Sequence, residues 1–116
     1  MTLIEANVIG IPGIPWGLSE KKVWLSQQTI KRSYQQQVVA KIEAIKQNFP
    51  DQVLVEQYGA LSCDSDNYTL WAIKTKQWQS DKPTVLVTGG VHGYETSGIQ
   101  GALRFVESTM VTYADR

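Results

Sequence analysis

In the stretch from Ser33 to Pro50 the apolar residues Val38, Val39, Ile42, Ile45 and Phe49 recur at the spacing of one helical face. Ser33 can cap the start and Pro50 follows the end, so the pattern predicts an amphipathic helix over about 34–48. The period then changes. "QVLVEQYG" and "YTLWAIKTK" are rich in β-branched and aromatic residues and are separated by the turn-forming cluster "ALSCDSDN". These read as two neighbouring antiparallel strands. After the polar link "QWQSDKP" comes "TVLVTGG", whose uninterrupted Val-Leu-Val is the signature of a strand buried on both faces. The expectation is a central strand over 84–88 in a three-stranded sheet. Beyond it Ile99, Ala102, Leu103 and Val106 share a helical face, which predicts a second helix over about 95–108.

The region before Ser33 is patterned differently. "NVIGIPGIPWGL" mixes three glycines and two prolines with apolar residues, which argues against regular structure. "SEKKVWLSQQTIKRSY" allows a short helix with Ser19 at its N-cap and Val23 and Trp24 on one side. The expected organisation is therefore an irregular lead-in over 1–32, with a short helix, and an α/β domain over 33–116. That domain should hold a partial mixed sheet with flanking helices.

Composition narrows the function classes. The 116 residues suffice for one domain, and the 11 basic residues balance the 11 acidic ones without a run of either sign. Nucleic acid and anionic membrane surfaces are therefore not expected partners. The lone Cys63 cannot form an internal disulfide, and "MTLIEANVIG" lacks the basic start and apolar core of a signal peptide. No apolar run approaches the roughly 20 residues that span a bilayer. A soluble, cytoplasmic protein is expected.

The only histidine, His92, lies between the Gly89-Gly90 pair and Glu95. This places His92 in the loop at the carboxyl end of the expected central strand, where ligands commonly bind in α/β sheets. Glu95 falls near the first turn of the next helix. An imidazole and a carboxylate at one corner are two of the three protein ligands that a catalytic zinc ion commonly takes. The spacing alone leaves plainer readings open: Glu95 would be stabilised at a helix N-terminus, and His92 could bond a neighbouring carbonyl.

Other conspicuous residues read as structural. Trp16, Trp24, Trp71 and Trp78 have no basic stripe beside them and suit packing better than base stacking. Asp64 and Asp66 lack the glycine and distant glutamate of a calcium loop. Cys63 has no histidine to activate it, Arg104 belongs to the helix pattern, and Gly98 and Gly101 suit close helix-to-sheet packing.

"KPTVLVTGGVHGYETSGIQGALRF" resembles the first metal-binding segment of the zinc carboxypeptidases, the carboxypeptidase A/B-like metallopeptidases, and most closely their bacterial members. The likeness rests on the apolar strand, the Gly-Gly before Val91, the His92-Gly93-x-Glu95 core, and the small residues Ser97, Gly98 and Gly101. It extends over the chain from Ser33 to Glu107. The resemblance implies the N-terminal part of a phosphorylase/hydrolase-like fold, with His92 and Glu95 as the first two zinc ligands and a peptide with a free C-terminus as substrate. A second zinc histidine, carboxylate-clamping arginines, a tyrosine lining the site and a late glutamate acting as general base find no counterpart here. The chain is therefore expected to be the first part of a catalytic domain, inactive by itself. Two other roles stay open: an interaction module that self-associates through an exposed sheet edge, and a zinc-dependent deacylase of acyl amino acids.

Overall fold

The computed structural model describes residues 8–116. The absence of a signal peptide and the start of the lead-in were read partly from residues 1–7, which lie outside that range. The chain divides into two compact units, Met1–Lys31 and Arg32–Arg116.

In the first unit the residues from 8 to 17 form no helix or strand, and Gly10 and Gly13 turn the backbone with φ of 78° and 84°. Helix α1, Leu18–Ser26, follows. Its N-cap is Gly17 and not Ser19. The Glu20 carboxylate accepts hydrogen bonds from the Gly17 amide at 2.9 Å and the Ser19 hydroxyl at 3.0 Å, which draws Ser19 into the first turn. Hydrogen bonds from its own backbone amide, the Ser19 hydroxyl and the Gly17 amide hold Glu20 below the usual carboxylate range. The helix buries none of its residues, and Val23, Trp24 and Leu25 are exposed.

In the second unit Ser33 opens the first helical segment as its pattern predicts. Its Oγ accepts the Gln36 amide at 3.3 Å and its carbonyl accepts the Gln37 amide at 2.8 Å. The segment begins with a π-helical turn, Gln35–Val39, and continues as helix α2, Ala40–Asn48. Val38, Ile42 and Ile45 form its buried face, and Ile45 is only 1% exposed. Strands β1, Val53–Ala60, and β2, Thr69–Thr75, pair antiparallel, with Val53 opposite Thr75 and Val55 opposite Ile73. The register shifts between Gln57 and Gly59, leaving Tyr58 unpaired and exposed. The link between them is a turn in which Asp64 accepts the Asn67 amide and side-chain nitrogen. Helix α3, Thr96–Phe105, runs on into a π-helical turn, Val106–Met110. One core joins these elements: Val38, Ile42 and Ile45 meet Val53, Leu103 and Val106, flanked by Tyr34, Val55, Trp71, Ile73 and Ile99.

The third strand does not form. Residues 83–90 have no ladder partner, and Val85, Leu86 and Val87 are 80%, 84% and 47% exposed, so the sheet is two-stranded and antiparallel, neither mixed nor centred on 84–88. An apolar run expresses a preference for burial, but a strand's hydrogen bonds come from another segment, and among the described residues none pairs with this one. Of the four tryptophans only Trp71 joins the core, while Trp16, Trp24 and Trp78 are exposed. No helix among the described residues is long and apolar enough to cross a membrane.

Candidate metal-binding corner

Although it lacks a sheet, the segment before His92 is closely held by α3. A Cβ built on Gly89 would lie 2.8 Å from both the Ala102 Cβ and the Gly98 carbonyl oxygen, a distance that real side chains do not occupy. Gly90 adopts φ of 86° and lies beside Ile99. Both positions therefore require glycine, one for close approach and one for its backbone angle. Gly98 takes part in this contact from the helix side. Gly101 faces open space, so the expectation that it serves close packing is not met.

Past the glycines the chain reverses into the helix. The Glu95 amide donates to the His92 carbonyl at 3.2 Å, closing a turn whose ends are these two residues. Glu95 is also the N-cap residue of α3, with φ −91° and ψ 89°. It makes no side-chain cap bond, so its carboxylate is not spent on the orphan amides of the helix. Glu95 and His92 are both exposed.

These two residues could hold a cation such as zinc. An imidazole nitrogen and a carboxylate oxygen at the ends of one turn match the chemistry of a zinc donor set, and the two glycines just before that turn lie against α3. Among the described residues no group of three or more His, Cys, Asp or Glu side chains comes together. The corner therefore offers two donors where a zinc site takes at least three protein ligands.

The other polar candidates stand apart from it. Arg104 near the end of α3 pairs with Glu107 of the π-helical turn that follows, at 3.7 Å. Cys63 is free and exposed in the β1–β2 turn. A concavity that includes Asp51, Gln52 and Asp115 contains neither His92 nor Glu95. One neighbour of the corner was not legible in the sequence: the Arg32 guanidinium donates to the Thr96 hydroxyl at 2.8 Å, next to Glu95 in the chain. A separation of 64 residues leaves no local pattern that could signal it.

Comparison with known families matches residues 38–116 to the family described as zinc carboxypeptidase. A comparison with curated proteins found no match.

Proposed function

The chain belongs to the zinc carboxypeptidase family, and from that premise we propose that it serves a hydrolase that removes C-terminal residues from peptides, supplying His92 and Glu95 as the first two zinc ligands. The observation that carries this reading is the turn that presents both donors, uncommitted to capping, inside the matched segment. Zinc held there would supply Lewis-acid polarisation of the scissile carbonyl. The chain's own contribution is to hold and orient: His92 offers an imidazole nitrogen, Glu95 a carboxylate oxygen, and the Gly89–Gly90 contact with α3 anchors the chain that leads into their turn. A further histidine, a proton acceptor and a cation for the substrate's terminal carboxylate complete the proposed site from outside this corner.

Release of C-terminal amino acids from blocked dipeptides tests the proposal, using the 116-residue chain and any longer product of the same reading frame. The chain alone is expected to be inactive, since nothing in the corner takes up the proton or stabilises the developing charge. The longer product is expected to be active and to lose activity with a chelator. Chelator-insensitive release would overturn the metallopeptidase reading.

One observation supports a second role, self-association. Val85 and Leu86 are largely exposed, and among the described residues each strand of the two-stranded sheet has one unpaired edge. The chain is expected to associate with rising concentration in sedimentation velocity. Leu86→Lys should keep it monomeric while changing stability by no more than about 0.5 kcal/mol. Concentration-independent sedimentation of the unaltered chain would remove this role.

A further inference from the structure

We propose that Arg32 is a positioning residue for Glu95, acting through Thr96; this rests on the reading of His92 and Glu95 as metal ligands. Glu95 is not anchored by a cap bond of its own, so the direction of its carboxylate depends on where α3 begins. The first residue of that helix is Thr96, and Arg32 donates to its hydroxyl at 2.8 Å. The chain directly after Arg32 is tied into the next helical segment. Ser33 caps the next helical segment through both its hydroxyl and its carbonyl.

A second polar tie lies one turn further along α3. Gln100 donates to the Gln37 carbonyl at 3.2 Å and accepts from Lys41. Thr96 and Gln100 thus share one flank of α3, and both are bound to the segment that leads into α2. The apolar residues Ile99 and Leu103 pack into the core from the same helix. These ties have different consequences. The Gln100 tie secures the helix body, whereas the Thr96 tie fixes the residue bonded directly to the ligand. A guanidinium, planar and pre-organised, holds such a direction better than a flexible ammonium group.

Outer contacts of this kind usually alter metal affinity by about ten- to a hundredfold. The Arg32–Thr96 bond is exposed and one residue removed from the ligand, so its effect should fall at or below the lower end, about three- to tenfold. Zinc titration followed at the ring resonances of His92 gives a direct readout, because the chain has only one histidine.

Arg32→Ala and Thr96→Val are each expected to weaken zinc binding by about three- to tenfold, the double variant no further, and Arg32→Lys less than Arg32→Ala. Gln100→Leu loosens the same helix pair away from the ligand. It should lower the melting temperature and leave zinc affinity within about twofold. The positioning role is overturned if Arg32→Ala leaves affinity unchanged, if the two losses add, or if Gln100→Leu weakens zinc as much. Were zinc to leave the His92 signals of the unaltered chain unmoved, the two-ligand reading would fall, and this proposal with it.

Discussion

Tyr34 shows how much a single side chain couples in this small unit. Its hydroxyl donates to the Thr69 carbonyl at 2.6 Å, and its ring lies 5.7 Å from that of Tyr68. Burial, and secondarily the nearby Tyr58, pushes the Tyr34 phenol above the usual tyrosine range. The folded state therefore favours the neutral phenol. The stability this contributes is fully present below the ordinary tyrosine value, about 10, and is lost as pH rises through the higher folded-state value. Urea unfolding at pH 8 should show Tyr34→Phe less stable by about 0.5–1.5 kcal/mol, the worth of one hydrogen bond. As pH rises above about 10 the unaltered protein should lose stability more steeply than the variant, and parallel pH profiles would contradict this. At the same scale, residue type and a short spacing made His92 and Glu95 candidates from sequence, and the family resemblance supplied the metal-ligand reading. Arg32 could not, since its bond to Thr96 exists only after the chain has folded back on itself.

For the elements, local pattern was a good guide wherever an element satisfies its own backbone. The helix expected over 34–48 matches the helical stretch ending at Asn48, and the two strands pair as their β-branched and aromatic content and the turn cluster between them suggest. Periodicity did not reveal the π-helical turns, because one widened turn leaves the apolar face nearly unchanged. It failed at 84–88, where forming a strand depends on a partner segment. The glycines that followed were also only partly readable: Gly89 and Gly98 meet at the loop–helix contact, but Gly101 does not. This separates two substitutions that sequence alone would treat alike. Gly89→Ala should destabilise by about 1–3 kcal/mol, because its methyl meets the Gly98 backbone and Ala102 at 2.8 Å. Gly101→Ala should stabilise by about 0.5–1 kcal/mol, since it improves helix propensity and meets nothing. Chemical denaturation of both variants checks the contrast, and equal effects of the same sign would refute it.

On the scale of the whole molecule, the unit Arg32–Arg116 joins one helix–sheet core to a loop–helix corner that carries two metal-capable side chains. The family match covers most of that unit, in which α3 packs on the core and meets the Gly89–Gly90 loop that leads into the corner. The central claim is that His92 and Glu95 together bind zinc, and X-ray absorption at the zinc edge of the zinc-loaded chain tests it most directly. The account predicts nitrogen and oxygen neighbours at about 2.0–2.1 Å with the outer-shell signature of one imidazole. That signature should vanish in His92→Ala, and Glu95→Gln should weaken zinc binding about tenfold. A sulfur neighbour at about 2.3 Å, or a shell unchanged by His92→Ala, would contradict the assignment.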